Sequence, residues 1–342
     1  MAMVTSKNIA DMAGVSRGTV DRALNNRGNV KETTKQKILE IVKRLDYKPN
    51  KAGQILVNQQ KNIKIGCIII DAANPYYDEL LRGINQKVEE YLSWGIEVIV
   101  RRVTFESKAQ CECIDEFLTM GISGLVIQPV NEVPLAQKLR QLFDAGIPVV
   151  TMNTTVNDLT PLCHVGNDFF TYGKTAANLL EMLTGGNCHI GIITGFHNAQ
   201  SHSDRIKGFQ EYIRDTPKMK ITSIEENLDD DIESFRVTQK ILQNHRDVNA
   251  LFLVAGGVDG ACRALKTFSD YRKVKVVCFD VLPSTKLHIL DGTIQAAICQ
   301  QPVIQGTTSL EVLFKYLIDK KEPLERHFWT NIQIKVRANL EA

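Results

Sequence analysis

Residues 6–25, SKNIADMAGVSRGTVDRALN, have the pattern of two short helices separated by a glycine turn. Gly14 stands where the chain must bend sharply, in a backbone conformation that glycine tolerates best. Ser16 is suited to cap the second helix, because its hydroxyl can accept hydrogen bonds from the free amides of the first turn. Val20 and Ala23 then recur at helical spacing. The stretch therefore predicts a helix-turn-helix unit that enters a groove of DNA.

A third amphipathic helix is predicted to cover this pair. Its apolar residues recur at positions i, i+3, i+4 and i+7 from Ile38 to Leu45. Thr33 or Thr34 is suited to begin it. Three helices on one small core would make an all-α head over residues 1–49.

The charge of the chain is divided unevenly. Residues 1–62 contain twelve Lys or Arg and five Asp or Glu, a net charge of +7. The whole chain of 342 residues carries +2, so residues 63–342 carry −5. A solvated helical face is the alternative explanation for such an excess. The excess of positive charge lies in the same segment as a complete helix-turn-helix motif, and this favours the explanation that the charge neutralises DNA phosphates.

Two segments, IADMAGVSRGTVDRALN at 9–25 and NVKETTKQKILEIVKRLDYKPN at 29–50, resemble the DNA-binding head of the lactose repressor family of bacterial transcription regulators. The resemblance extends over about residues 5 to 57. In that family, residues just after the cap of the second helix read bases in the major groove. The resemblance implies DNA contacts by Arg17, Gly18, Thr19, Arg22 and Asn25.

This head departs from the family pattern at two positions. Gly18 has no side chain with which to read a base, so we expect Arg17 and Arg22 to carry more of the specificity. An Arg on a guanine edge discriminates by roughly 1 to 3 kcal/mol. Asp21 stands where relatives place a serine that contacts phosphate, and a carboxylate there would repel the DNA backbone.

Residues 50–60, NKAGQILVNQQ, resemble the hinge of the same family, and we place the hinge or linker at 50–62. In relatives the hinge becomes helical on operator binding, and a leucine from each subunit enters the minor groove, which implies this role for Leu56. Gly53 stands where relatives favour alanine, at a cost of about 1 kcal/mol to a helix, and Gln54 where they often have arginine. The alternative is a linker without order in either state.

Residues 63–342 alternate apolar strands with amphipathic helical stretches. Alternation at this length predicts two parallel sheets covered by helices. The strands are predicted at 65–70, 96–100, 125–128, 148–152, 189–194, 250–254 and 274–279.

The core resembles the two-lobed periplasmic sugar-binding fold, with ribose-binding proteins as the nearest pattern. The fold class expected is therefore an all-α helix-turn-helix head followed by an α/β, periplasmic-binding-protein-like core with two parallel sheets. The resemblance implies a lobe one at about 63–165 and 292–325. Lobe two is then expected at about 166–291 and 326–342.

Ligands of open parallel sheets bind at the carboxyl ends of the strands, which in the resembled fold is the cleft between lobes. Asn74, Tyr76 and Tyr77 resemble the family's asparagine and aromatic pair. An amide can bridge two hydroxyls and a ring can cover an apolar sugar face, although ordinary packing is the alternative for adjacent aromatics. The remaining ligand residues implied by the resemblance are Asn153, Arg205, Asp280 and Gln300.

Departures from the sugar-binding pattern bear on the ligand. Asn153 and Thr154 stand where relatives often have an Asp-Arg pair, and Gly256 and Gly257 lie where ribose-binding proteins carry an asparagine. Two polar anchors are thus missing or weakened, and the glycine pair predicts room for a bulkier ligand. We expect a sugar, a sugar derivative or a cyclitol; the alternative is a nucleobase or nucleoside, since purine-sensing repressors share the architecture.

Catalysis is not expected. The chain has no glycine-rich dinucleotide fingerprint after its first core strand, no phosphate loop with its lysine, and no nucleophile elbow. Its eight cysteines and seven histidines lack metal-ligand spacing, which predicts buried free thiols, no metal and no cofactor. The acidic residues 229–231 have the pattern of a solvated loop.

A transport-type sugar-binding protein is a further alternative, but it needs a secretory signal. The N-terminal MAMVTSKNIADMAG has no long apolar segment, and no stretch approaches the roughly 20 apolar residues of a membrane span. The sequence thus predicts a cytoplasmic, ligand-responsive regulator, a repressor, that binds a near-palindromic operator as a homodimer. Whether the ligand is an inducer or a corepressor stays open.

Overall fold

The structure is a computed structural model that describes residues 5–24, 30–45, 55, 58–71, 75–197 and 199–340. The chain divides into two compact units. The first consists of Met1–Asp71, Leu81–His164 and Gly306–Arg326. The second consists of Ala72–Leu80, Val165–Gln305 and His327–Ala342.

Three helices form the head at the start of the first unit: α1 (Ser6–Ala13), α2 (Arg17–Leu24) and α3 (Glu32–Arg44). They enclose a small core of their own, as the sequence predicts. The buried members of this core are Ile9, Ala10, Ala13, Val20, Ala23, Ile38 and Ile41.

The turn between α1 and α2 has the predicted construction. Gly14 adopts the left-handed conformation with φ 71° and ends α1 by donating its N–H to the carbonyl of Ala10. Ser16 caps α2, because its Oγ accepts from the N–H of Thr19 at 3.1 Å. Lys37 of α3 donates to the carbonyl of Ala13 at 3.1 Å, which ties the third helix to the end of the first.

The start of α3 differs from the expectation that Thr33 or Thr34 begins it. The helix starts at Glu32, and its N-cap residue Lys31 makes no side-chain capping hydrogen bond. A carboxylate in the first turn interacts favourably with the helix dipole, so Glu32 stabilises this end without a hydroxyl cap.

The core contains two six-stranded sheets with mostly parallel pairing. The first sheet has the order β11-β5-β4-β3-β1-β2 and the second has the order β12-β10-β9-β8-β6-β7. Strands of the first sheet are β1 (Lys64–Ile70), β2 (Glu97–Val103), β3 (Gly124–Ile127), β4 (Val149–Asn153), β5 (Cys163–Gly166) and β11 (His327–Trp329). Strands of the second are β6 (Cys188–Thr194), β7 (Met219–Glu226), β8 (Ala250–Leu253), β9 (Lys275–Phe279), β10 (Ala296–Cys299) and β12 (Gln333–Lys335).

Helices alternate with these strands along the chain, which confirms the predicted α/β class. They are α4 (Pro75–Leu92), α5 (Ser107–Thr119), α6 (Val133–Asp144), α7 (Phe169–Thr184), α8 (Gln200–Ile213), α9 (Asp231–Asn244), α10 (Val258–Leu265), α11 (Pro283–Leu290) and α12 (Pro302–Asp319). Short 3-10 turns lie at Tyr271–Lys273 and Arg337–Asn339.

Residues 292–305 lie elsewhere than the sequence analysis placed them. They were expected in lobe one, but β10 pairs in parallel with β9 and antiparallel with β12 in the second sheet. The segment therefore belongs to the second unit. Its strand is only four residues long, so its sheet partners could not be inferred from its own pattern.

Two glycines allow α7 and α8 of the second unit to pack with their backbones in contact. A Cβ at Gly173 would lie 1.9 Å from the carbonyl oxygen of Arg205. A Cβ at Gly208 would lie 1.9 Å from the carbonyl oxygen of Phe170. Backbone atoms cannot rotate away as a side chain can, so this packing fixes where α8 carries its side chains.

We expect Gly173→Ala to lower the free energy of unfolding by about 2 kcal/mol or more, in the range that overpacking costs. Urea denaturation followed by circular dichroism measures this. Gly185→Ala is the matched control at the end of the same helix, where φ is 66° and nothing lies within 4 Å of the added Cβ. The control should lose only about 1 kcal/mol, from the left-handed backbone alone. Equal losses in the two variants would contradict close backbone packing.

Candidate functional site

The exposed face of α2 presents the residues predicted to contact DNA. Arg17, Gly18 and Arg22 are exposed, whereas Val20 and Ala23 are buried in the head core. The Nε of Arg22 donates to the carbonyl of Gly18 at 3.2 Å. The Arg22 side chain therefore lies back along its own helix.

The hydroxyl of Thr19 is already used within the head. Its Oγ1 lies 2.9 Å from the Oγ of Ser16, and it accepts from Nη2 of Arg22 at 3.4 Å. Thr19 thus helps to hold the cap and the Arg22 side chain. The predicted contacts Asn25 and Leu56, like Gly53 and Gln54 of the hinge, lie outside the described residues.

A buried arginine is the centre of the predicted ligand site in the second unit. Arg205 of α8 is only 3% exposed, and its Nη1 donates to the carbonyl of Val254 at 2.7 Å. Its Cζ lies 3.8 Å from the ring centroid of Phe279 and 5.0 Å from that of Phe169. The two rings stabilise the buried cation through their negative faces.

A chain of hydrogen bonds joins the other predicted ligand residues of this unit. The Tyr76 hydroxyl donates to Oε1 of Gln305 at 3.0 Å, and Nε2 of Gln305 donates to the carbonyl of Gln300 at 2.8 Å. The backbone N–H of Gln300 donates to Oδ1 of Asp280 at 3.1 Å, and its side chain donates to Oδ2 at 2.5 Å. Tyr77 packs edge-on against Tyr76 with the ring centroids 5.5 Å apart. The structure therefore brings Tyr76, Tyr77, Asp280 and Gln300 together.

Burial governs the electrostatics of this site. It lowers the pKa of Arg205 to about 10, although the attraction of Asp280 opposes the change, so the guanidinium stays charged at neutral pH. Burial likewise raises the pKa of Asp280, against the opposing effects of Arg205 and the Gln300 hydrogen bonds. Each Asp280 oxygen keeps a lone pair beyond the bond from Gln300 and can accept from a ligand hydroxyl.

The remaining predicted ligand residues are not part of this group. Asn74 lies outside the described residues. Asn153 belongs to the first unit, where it ends β4 with φ 59°. Its Oδ1 is buried and has no hydrogen-bond partner within the described chain. The neighbouring Thr154 donates its hydroxyl to the carbonyl of Pro129 at 2.7 Å, so it supports the loop structure.

The space beside the glycine pair after β8 is not free. A Cβ at Gly256 would lie 3.1 Å from both Cβ and Oδ1 of Asp229. A Cβ at Gly257 would lie 2.4 Å from Nδ2 of Asn227. The glycines therefore make room for protein side chains, which removes the basis for expecting a bulkier ligand.

The acidic residues 229–231 are exposed, but they are more than a solvated loop. Asp229 accepts from the N–H of Gly256 at 2.8 Å. Asp230 caps α9, and Asp231 accepts from the N–H of Gly260 at 3.0 Å. All three carboxylates fix backbone amides near the carboxyl ends of β7 and β8.

Sequence reasoning missed three residues of the site: Phe169, Phe279 and Gln305. Phe279 ends β9 directly before Asp280, so its position at a predicted strand end could have found it. Phe169 follows β5, a strand that was not predicted. Gln305 has no signal beyond lying on the helix after Gln300.

His202 lies one helical turn before Arg205 on α8. Its Nδ1 accepts from the N–H of Phe196 at 3.2 Å, which places the ring proton on Nε2. Burial and the nearby Arg205 charge lower its pKa to about 3. The site therefore holds a neutral histidine at physiological pH.

Within the part of the chain that the structure describes, no group of three His, Cys, Asp or Glu residues could hold a metal ion. The eight cysteines are free thiols, and six of them are buried. No helix among the described segments has the length and apolarity to cross a bilayer.

Family models of known proteins match both the head and the core of this chain. The periplasmic binding protein domain family matches residues 65–321, and the bacterial regulatory proteins of the lacI family match residues 5–50. The ribose operon repressor of Halalkalibacterium halodurans is 25% identical over 334 residues, which cover 95% of this chain and 93% of that protein. The ribose import binding protein RbsB of Bacillus subtilis is 24% identical and covers 80% of this chain and 86% of that protein.

Among solved structures, the glucose-galactose binding protein GanP of Geobacillus stearothermophilus superimposes with a TM-score of 0.73 at 22% identity. The match covers 82% of this chain and 99% of that one. The chain belongs to the periplasmic binding protein domain family and carries the helix-turn-helix head of the lacI family. It is a transcription regulator with a sugar-binding-like effector domain, and not an enzyme.

The lowered pKa of His202 predicts a specific loss of stability in acid. Between the unfolded pKa of 6.5 and the folded pKa of about 3, the unfolded chain binds one proton more than the folded chain. Stability therefore falls as the pH falls through this window, by up to about 1.4 kcal/mol per pH unit from this group. His202→Asn, whose Oδ1 can accept from Phe196, should lose less stability between pH 6.5 and 4 in urea titrations.

The same comparison at pH 7 to 8 is the control, because His202 is neutral in both states there. Equal losses of the wild type and the variant between pH 6.5 and 4 would show that His202 titrates alike in both states.

Proposed function

We propose that this chain is a repressor that binds a near-palindromic operator as a homodimer and changes its DNA affinity when a sugar-type effector binds. One observation carries the proposal. A basic helix-turn-helix head, with Arg17 and Arg22 exposed on α2, shares a chain with a core that holds the buried Arg205 and its polar network. Because such a regulator acts on the chromosome, we place it in the cytoplasm.

The head contacts DNA through two kinds of interaction in this proposal. The net charge of +7 over residues 1–62 supplies attraction to phosphates that is independent of sequence. Arg17 and Arg22 read base edges in the major groove, assisted by Thr19 and Asn25. Gly18 allows close approach of the backbone but reads no base.

Leu56 serves in this proposal as a minor-groove wedge from each subunit. Insertion of an apolar side chain kinks the duplex and increases the contact area. Gly53 makes ordering of the hinge costlier by about 1 kcal/mol than alanine would. The operator affinity of this protein then depends on how well the hinge is ordered.

The effector is a sugar, a sugar derivative or a cyclitol. Arg205 offers hydrogen-bond donors and Asp280 offers acceptors, a combination that suits hydroxyl groups, which both donate and accept. Tyr76 and Tyr77 supply aromatic surface for an apolar sugar face, and Asn74 and Asn153 supply amides. The likeness to a ribose operon repressor over nearly the whole chain supports this class of effector.

Effector binding controls DNA binding by linkage between the two sites. A dimer sets its two heads about one helical turn apart on the operator. An effector that favours a conformation with badly spaced heads acts as an inducer, and one that favours well-spaced heads acts as a corepressor. The coupling is reciprocal, so operator DNA changes effector affinity by the same factor.

Substitution of Arg17 and Arg22 tests whether their side chains contact bases of the operator. We expect Arg17→Ala and Arg22→Ala each to weaken binding to operator DNA by about 5- to 100-fold at constant salt, because each removes a base contact. The operator is obtained by selection of bound sequences from a random DNA library with the full-length protein. Each variant should also lose preference at one base position of the half-site.

The control for charge alone is Lys43→Ala in the last turn of α3. It should weaken binding to all sequences alike, with a smaller salt dependence. Unchanged base preference in both arginine variants would contradict their role as readers.

A thermal-shift screen tests the effector class. We expect D-ribose, D-galactose, D-allose or myo-inositol to raise the melting temperature, because a ligand of the folded state at a hundred times its Kd stabilises by about 2.7 kcal/mol. Asp280→Asn should abolish the shift. Titrations of the effector with and without operator then measure the coupling between the sites.

Two results would overturn parts of this proposal. A shift with adenosine and with none of the sugars or cyclitols would assign the effector to the nucleosides. Equal effector affinity with and without operator would contradict control by linkage.

A further inference from the structure

Asp229 lies at the carboxyl end of β7 in an uncommon backbone conformation. Its φ is 57°, and that of the preceding Leu228 is 54°. Non-glycine residues in the left-handed region are strained and cluster at binding sites. Asp280 of the proposed effector site shares this feature, with φ 57°. Asp229 thus has the same backbone conformation as Asp280, the carboxylate of the proposed effector site.

Two glycines make the space that the Asp229 carboxylate occupies. A Cβ at Gly195 would lie 2.2 Å from Oδ1 of Asp229, and a Cβ at Gly256 would lie 3.1 Å from the same atom. The N–H of Gly256 donates to this Oδ1 at 2.8 Å. Any larger residue at position 195 would displace the carboxylate from its present place.

Asn227 holds the loop that carries Asp229. Its Oδ1 accepts from the backbone N–H of Asp229 at 3.0 Å, and its Nδ2 donates to the carbonyl of Gly256 at 2.8 Å. Asn227 is itself only 1% exposed. The carboxylate is therefore held in place before any ligand arrives, which reduces the entropy lost on binding.

Asp229 and Arg205 converge on the same short segment after β8. Arg205 donates to the carbonyl of Val254, and Asp229 accepts from the N–H of Gly256 two residues later. The positive charge of Arg205 attracts both Asp229 and Asp280. The two acidic residues that act on the guanidinium follow β9 and β7, which lie on opposite sides of β8 in the strand order β9-β8-β6-β7.

The arginine also retains an unused donor. Its Nε is buried and has no hydrogen-bond partner among the residues that the structure describes. A buried donor without a partner costs free energy, so a ligand that supplies an acceptor gains that free energy back. Asp229, in contrast, is exposed. Its Oδ1 accepts from Gly256, and its Oδ2 accepts no hydrogen bond from the residues that the structure describes.

We propose that Asp229 is a specificity-determining ligand of the effector, a second carboxylate besides Asp280 that accepts hydrogen bonds from adjacent hydroxyl groups. The effector is then a polyol with hydroxyl donors for two separate carboxylates and an acceptor oxygen for Arg205. A sugar or cyclitol ring meets this requirement, because each hydroxyl both donates and accepts. This inference rests on the proposed sugar-type effector.

Isothermal titration of the full-length protein with D-ribose, D-galactose, D-allose and myo-inositol tests the proposal. Asp229→Asn keeps an oxygen for the Gly256 amide but replaces the other acceptor with a donor. We expect it to weaken the tightest probe by about 10- to 100-fold, the loss for a hydrogen bond to a charged group. Glu233→Gln is the matched control, because it removes one nearby negative charge from the exposed start of α9, and its affinity should equal that of the wild type.

Deoxy analogues of the tightest probe identify the hydroxyl that Asp229 contacts. The analogue without that hydroxyl should bind the wild type weakly, and it should lose little or nothing more in Asp229→Asn, as in a double-mutant cycle. Gly195→Ala keeps every charge but displaces the carboxylate, so it should also weaken the probe. Thermal unfolding without ligand establishes that each variant is folded, and Gly195→Ala carries the test should Asp229→Asn be unfolded.

The outcomes separate this inference from the proposed function. If the wild type binds a probe, Asp280→Asn loses it and Asp229→Asn binds it as the wild type does, the role of Asp229 is refuted while the effector site stands. If no sugar or cyclitol binds the wild type, the effector class and this inference fall together.

Discussion

The proposed effector site depends on how the protein keeps a guanidinium buried and charged. Burial of an unpaired cation is very costly, so its partners must be in place in the folded chain. The carbonyl of Val254, the two phenylalanine rings and the carboxylate of Asp280 supply them for Arg205. The close packing of α7 on α8 through Gly173 places the backbone of Arg205 itself. The geometry of the binding site is thus fixed by helix packing as much as by polar contacts.

Much of the fold could be predicted from the sequence, and the omissions have physical reasons. All seven predicted strands are present within a few residues of their expected bounds, because buried parallel strands are nearly continuous apolar runs. The missed strand β7, MKITSIEE, lies at the edge of its sheet and carries charged residues. The missed strands β5, CHVG, and β10, AAIC, are short and contain polar or small residues, so they lack the strongly apolar run that marks β3 and β8. The placement of 292–305 was wrong for the same reason.

Prediction of the site followed the same rule. Asp280 was predicted because it directly follows an apolar strand, and polar residues there face the ligand end of a parallel sheet. Gln300 was predicted only from the resemblance to sugar-binding proteins, because β10 before it was not recognised as a strand. Asp229 follows a strand that was not recognised, and in sequence it is only one of three consecutive aspartates. From the sequence alone, Gly256 and Gly257 predict free space, because a sequence does not show that the side chains of Asp229 and Asn227 fill it. A contact between residues so far apart in the chain requires the three-dimensional structure.

The hydrogen bonds of Arg22 to Gly18 and Thr19 also bear on the entropy lost in the base contact proposed for this side chain. A free arginine side chain has up to about 2 kcal/mol of rotamer entropy to lose on binding. Because this one is already held along α2, part of that entropy is lost when the head folds. A lysine has one ammonium group and no planar fork of donors, so it could not make both bonds in the same fixed geometry. Replacing Arg22 by lysine would therefore keep the charge but leave the side chain free to move before DNA binds. The recognition surface is in this sense organised before the DNA is present.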